Sequence, residues 1–159
     1  MLLFLKNIVF AILVPGVAAV AVPIWIAGPG EGGPPFLRTL ALVPFLLGSA
    51  VAGRCVWDFA KTGRGTPAPI DPPKVLIASG LYRFVRNPMY VGVLLVVTGW
   101  ALYFASGKIF LYGALLWLAF HLFVALYEEP HLAKRFPGSY DAYRAEVPRW
   151  LPRIPARKP

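Results

Sequence analysis

The chain has 159 residues, 58% of them hydrophobic, and a formal net charge of +9; its mean hydropathy is +0.63. That is too apolar for a water-soluble domain of this size, and it turns the positive charge away from nucleic acid, towards membrane orientation and contact with anionic lipid. A single cysteine, Cys55, excludes an internal disulfide and a cysteine-based zinc site, and with only two histidines no metal is expected.

Four apolar stretches follow one another, at about Leu2–Ala27, Phe36–Phe59, Met89–Ala105 and Ile109–Tyr127. Each is long enough for a membrane span, which needs roughly 17–25 residues. The expected fold is all-α: an integral membrane bundle of about four spans, one domain over residues 1–159, with residues 1–60 supplying the first two. Ala19-Val20-Ala21 resembles a signal-peptide cleavage site, but apolar character continues through Pro23, Ile24, Trp25 and Ile26, so a retained first span is expected. Pro15 and Pro23 predict kinks in it. Gly28–Pro35 is a helix-breaking connection, and Gly48, Ser49, Ala50, Ala52 and Gly53 give the second span a small-residue face for close helix contact.

Basic residues then set the orientation. Lys61, Arg64, Lys74, Arg83 and Arg86 fall in the Pro- and Gly-rich segment 61–87, and Lys134, Arg135, Arg144, Arg149, Arg153, Arg157 and Lys158 follow Tyr127. The turn at Ser106-Gly107-Lys108 is short and nearly uncharged. Both basic segments are predicted to be cytoplasmic, and an even number of spans puts both termini there, where Lys6 agrees. Asp141, Arg144 and Glu146 suggest an amphipathic C-terminal cytosolic helix lying on the membrane.

Asn87-Pro88 reads as a helix start, with Asn as N-cap and Pro at the first helical position. The third span rises and the fourth returns over a similar distance. Arg86 and Asn87 should therefore meet Glu128 and Glu129 at one membrane face, a cluster of charged and hydrogen-bonding groups beside an apolar groove. Topogenic charges beside a solvated helix end would read the same way. His121, inside the fourth span, is expected to be a neutral histidine hydrogen-bonded to another helix, Cys55 a small core residue and His131 a surface residue.

The block Gly80-Leu81-Tyr82-Arg83-Phe84-Val85-Arg86-Asn87-Pro88-Met89-Tyr90, followed by Glu128-Glu129-Pro130-His131-Leu132, Phe136, Tyr140, Tyr143, Val147-Pro148-Arg149 and Pro152, resembles the isoprenylcysteine carboxyl methyltransferase and phospholipid methyltransferase family of integral membrane enzymes. That family's signatures look like G-x-Y-R-x-x-R-H-P-x-Y and E-E-x-x-L-x-x-x-F-G-x-x-Y-x-x-Y-x-x-x-V-P-R, and every spacing is kept. Asn87 stands where His is usual, which removes a titratable group, and Pro137 stands where Gly is usual, beside Gly138. The motifs leave the first two spans uncovered.

The resemblance implies an S-adenosylmethionine-dependent methyltransferase whose residues 79–152 hold the cofactor and whose acceptor is a lipophilic molecule in the membrane, an isoprenylcysteine-like carboxylate or a phospholipid amine. Carried over residue by residue, Gly80, Tyr82, Arg86, Asn87, Pro88 and Tyr90 line the cofactor pocket from one side. Glu128 and Glu129 close it, and Tyr140, Tyr143 and Arg149 belong to the covering tail. Arg86 and Glu129 are the residues expected to be catalytic. Similar motifs occur in membrane sterol reductases that use NADPH, which would call for further basic residues, and a non-enzymatic scaffold would leave the polar cluster without a purpose.

Overall fold

The computed structural model describes residues 12–62 and 75–154 of the chain. The expectations placed on Lys6, Arg64, Lys74, Arg157 and Lys158 lie outside the described residues. Every element among them is helical. A π-helical stretch, Ile12–Ala21, runs into α1, Val22–Ala27. Then come α2, Pro35–Thr62, a 3₁₀ turn at Gly80–Arg83, and α3, Pro88–Tyr103. Last come α4, Gly107–Phe123, a π-helical turn at Val124–Glu128, α5, Glu129–Arg135, and α6, Ser139–Glu146.

The chain stays helical through both early prolines. In π registry the partner of the Ala18 carbonyl would be the fifth residue on, Pro23, which has no N–H to give. The Tyr112 hydroxyl donates to that carbonyl instead, at 2.9 Å. A neighbouring helix thus satisfies a freed backbone group that a bilayer could not.

Two helices are long and apolar enough to cross a membrane, Pro35–Asp58 and the continuous run Gly107–Arg135; Pro15–Ala27 and Pro88–Tyr103 are shorter apolar helices. The long ones turn their apolar side chains outward: Leu46 is 71% exposed, Phe110 69% and Leu126 74%. A helix with an unburied apolar surface of that kind is solvated by lipid, which identifies a membrane protein.

α2 and α3 form the closest pair. A Cβ on Gly48 would lie 2.6 Å from the Gly92 carbonyl oxygen, and one on Gly92 would lie 3.1 Å from the Ala52 nitrogen. The small-residue face is therefore used at Gly48 and Ala52, whereas Gly53 has nothing within 4 Å. Val97, Ala101 and Ile109 bury the α3–α4 hairpin. Ala105, with φ at 48°, turns the chain out of α3, and Ser106 caps α4 by accepting from the Ile109 amide. The connection after α1 is stitched to the same end by Gly33 N–H donating to the Tyr103 carbonyl at 2.8 Å, and Arg38 donates to the carbonyls of Gly33 and Gly32 at 2.6 and 2.5 Å.

Two expectations change. The fourth apolar stretch does not end before Glu128; the helix continues through a π turn, and Glu128 and Glu129 project from within it. Asn87 sits at the N-cap position of α3, but its side chain makes no cap bond, because its amide is drawn away to the C-terminal segment.

Candidate active site

The carboxylate of Glu129 is the centre of the polar cluster. Arg149 holds it with two parallel bonds, Nε to Oε1 at 2.7 Å and Nη2 to Oε2 at 2.8 Å, the bidentate geometry in which a guanidinium–carboxylate pair is strongest. Arg86 approaches Oε1 from the other side with Nη1 at 3.1 Å; its side chain and that of Glu129 are each 12% exposed. The same Nη1 donates to the Tyr140 hydroxyl at 3.4 Å. The Arg86 Nε is buried with no hydrogen-bond partner among the described residues.

Glu128 takes a different partner. The Tyr90 hydroxyl donates to its Oε2 at 3.0 Å, and the Tyr90 ring packs on Phe120 with centroids 4.6 Å apart. Two carboxylates and two guanidinium groups thus meet in one cluster, formally neutral. Asn87, 6% exposed, donates from Nδ2 to the Arg149 carbonyl at 3.1 Å, so it holds the backbone of the residue that holds Glu129. Tyr143 donates to the Tyr82 carbonyl at 2.7 Å. Glu129, through its hydrogen bond, holds the Arg149 guanidinium above its ordinary value. Burial raises the Tyr140 and Tyr143 phenols above theirs, so both remain donors at neutral pH.

The sequence-predicted residues separate into two groups. Arg86, Asn87, Tyr90, Glu128, Glu129, Tyr140 and Arg149 converge. Gly80, Tyr82, Pro88 and Tyr143 build the frame. Gly80 has φ at +60°, and a Cβ there would run into the Asp58 carboxylate, so glycine is required twice over. Tyr82 is buried against Cys55 and Met89, its hydroxyl hydrogen-bonded with the Cys55 thiol, and Pro88 is fully buried at the start of α3. Arg83 turns outward over the Phe84 ring, 4.8 Å from its centroid.

Four further residues occupy no signature position. Asp58, 7% exposed, closes α2 against the Gly80 turn and pairs with Arg54 at 3.1 Å. A single acid at the end of an apolar run was the available signal. His121 is hydrogen-bonded as expected, but its partner is Trp150 in the C-terminal segment. Cys55 is wholly buried, and His131 lies exposed beside the Tyr127 ring.

Residues 36–139 match the family described as phospholipid methyltransferase. The chain belongs to that family. The match takes in α2, which the sequence motifs left uncovered, and ends one residue before Tyr140. Among curated proteins, the protein-S-isoprenylcysteine O-methyltransferase of Schizosaccharomyces pombe (strain 972 / ATCC 24843) is 33% identical over 82 residues. The aligned part is 51% of this chain and 34% of the relative, so the chain matches about a third of that protein's length. No solved structure matches the phospholipid methyltransferase family chain described here.

Proposed function

We propose that the protein is an S-adenosylmethionine-dependent methyltransferase acting on a lipophilic acceptor held in the membrane, with residues 79–152 forming the cofactor region. The observation that carries the reading is the Arg86 guanidinium: Glu129 and Tyr140 occupy Nη1 while Nε stays buried and unpaired. A buried charged donor without an acceptor is costly, and a ligand carboxylate supplies what is missing. A cluster in which Arg86 and Arg149 hold Glu129 and Tyr90 holds Glu128 presents groups of both signs, which suits the amino-acid end of that cofactor. When bound, the cofactor supplies an activated methyl group.

The remaining work falls to this chain's residues. Arg86 and Glu129 position the ligand, Tyr90 orients the Glu128 carboxylate, and Tyr140 and Tyr143 help to exclude water. A carboxylate acceptor is already nucleophilic at neutral pH. An amine acceptor must lose a proton, for which Glu128 or Glu129 is the candidate; Glu128, held by no arginine, is the one favoured.

The topology proposed with this reading has four spans, with the shorter apolar helices Pro15–Ala27 and Pro88–Tyr103 crossing beside the two long ones. Lys61, Arg83, Lys134, Arg135, Arg144 and Arg153 lie near the cluster end of the chain path and support a cytoplasmic site. α6 would rest at that surface, its exposed Asp141–Arg144 pair (3.1 Å) turned to water and Tyr140 turned in.

Titration of the purified, detergent-solubilised protein with S-adenosylmethionine and, separately, with NADPH tests the reading. Binding of the first is expected, with at least a tenfold weaker Kd in Arg86→Ala, the loss of one charge-assisted bond. Binding of NADPH alone would overturn it.

A further inference from the structure

Residues 147–153 lie across residues 84–87 as a strap. Two backbone bonds fix it, Arg86 N–H to the Pro148 carbonyl and Arg153 N–H to the Phe84 carbonyl, each at 2.9 Å. Arg149, between them, holds Glu129, and the next residue, Trp150, donates its Nε1 hydrogen to His121 Nδ1 at 3.0 Å. Glu129 and His121 lie eight positions, roughly 12 Å, apart on one continuous helix. The strap therefore grips that helix at two separated points through two adjacent side chains. Trp117, four residues before His121 and so on the same face, completes a ring cluster, with centroids 5.5 Å from His121 and 6.4 Å from Trp150. Beyond Trp150 the strap has little apolar anchorage: Leu151 is 80% exposed and Ile154 84%.

We infer that His121 is a positioning residue that latches this strap through Trp150 and thereby seats Arg149 on Glu129. An indole N–H only donates, so the bond requires an Nδ1 lone pair and places the imidazole hydrogen on Nε2. Removing the acceptor leaves the part-buried indole N–H without its partner among the rings of Trp117 and Tyr90, and the strap loses its side-chain anchor. Opening the strap withdraws both the Arg149 guanidinium from Glu129 and the Arg149 carbonyl from Asn87. His121 thus acts on the cluster while touching none of its charged groups. The consequence for ligand affinity rests on the proposed function; the latch itself does not.

The test uses the full chain in detergent and reads hydrogen exchange at the Arg86 and Arg153 amides, whose bonds cross the strap and whose exchange follows its opening. Trp150→Phe keeps the ring and deletes the donor; His121→Leu deletes the acceptor; His121→Asn offers an amide oxygen near the place of Nδ1. Exchange should rise by about two- to tenfold in Trp150→Phe and in His121→Leu, the range one neutral hydrogen bond commands. It should rise no further in the double variant and stay near the parent rate in His121→Asn. Should His121→Leu fail to fold, Trp150→Phe and His121→Asn still decide the matter. Unchanged exchange in Trp150→Phe, additive effects in the double variant, or an Asn variant that opens like Leu would each overturn the latch. The S-adenosylmethionine Kd should weaken in step with opening; a parent protein that exchanges as expected but binds no S-adenosylmethionine would remove the proposed function and leave the latch standing.

Discussion

The two ends of the helix bundle satisfy their polar side chains in different ways, although at the first the Gly33 N–H also reaches the remote Tyr103 carbonyl. At the end built from the 28–34 connection and the 104–106 turn, the arginine side chain bonds locally. Arg38 reaches carbonyls five and six residues back, and Ser106 caps its own helix, accepting from an amide three residues on. At the other end the partners are remote. Tyr90 and Glu128 are 38 residues apart, Arg86 and Tyr140 54, and Asn87 and the Arg149 carbonyl 62. Local pairing finishes a turn and asks nothing of the fold. Remote pairing has to be assembled by the whole bundle; among the described residues two buried donors are left over, the uncharged Trp100 Nε1 at the first end and the charged Arg86 Nε at the second. The second end is the one proposed above to take a ligand.

The largest expected effect comes from breaking the remote end while sparing the local one. Glu129→Gln removes the anion between Arg86 and Arg149, and breaking a buried charge pair costs about 3–5 kcal/mol where the partners cannot reach water. On the proposed function, methyl transfer to a lipid acceptor should fall by more than about a hundredfold, with the helical circular dichroism retained. Arg38→Gln should leave turnover unchanged. Equal loss in both variants would dissolve the contrast between the ends.

A smaller effect separates packing from site. Gly48→Ala places a Cβ against the Gly92 backbone oxygen, so α2 and α3 must separate, at a cost of about 1–3 kcal/mol. Gly53→Ala enters open space and should be neutral or stabilising by up to about 1 kcal/mol. Thermal melts in one detergent compare the two. A Gly53 variant as damaged as the Gly48 variant would mean that the close contact is spread along the helix.

The smallest concerns Asn87. Because its side chain holds the Arg149 carbonyl and leaves α3 uncapped, Asn87→Ala should weaken cofactor binding through the strap by about 0.5–1.5 kcal/mol and leave the start of α3 in place. Asn87→His keeps a donor and should retain most activity, with no new dependence on pH between about 5 and 8 in the methyl-transfer step. Calorimetric Kd values and pH profiles of kcat for the three proteins check both, and a helix start that frays in Asn87→Ala would restore the capping role.

How far the sequence reached follows the same division. The helices were legible, because apolar runs and Gly-Pro breaks are local. The meeting of Arg86 with Glu129 was legible as well, since two returning helices of similar length bring their ends to one face. What stayed hidden needs a direction as well as a position. Asn87 has every mark of a cap, and only the path of the strap shows its amide turned elsewhere. Trp150 is a second case, because nothing in its neighbours' pattern names His121, 29 residues earlier, as its acceptor. The helix continued past Tyr127 because a π turn absorbs the change of character at Glu128-Glu129 without ending it.

α3 has 16 residues and rises about 24 Å, short of the roughly 30 Å thickness of hydrocarbon in a typical bilayer. On the proposed topology, with the 104–106 turn at one interface, the start of α3 sinks below the opposite one, and the arginine–glutamate cluster comes to lie at the depth where acyl chains meet their headgroups. A mismatch of that size thins the surrounding lipid. An acceptor with a long hydrocarbon tail could then present its reactive end by sliding sideways, without lifting the tail into water at about 0.8 kcal/mol for each CH₂. Lengthening α3 by one helical turn would raise the cluster by about 5.4 Å, and long-chain acceptors should lose far more activity from that change than short, water-soluble ones.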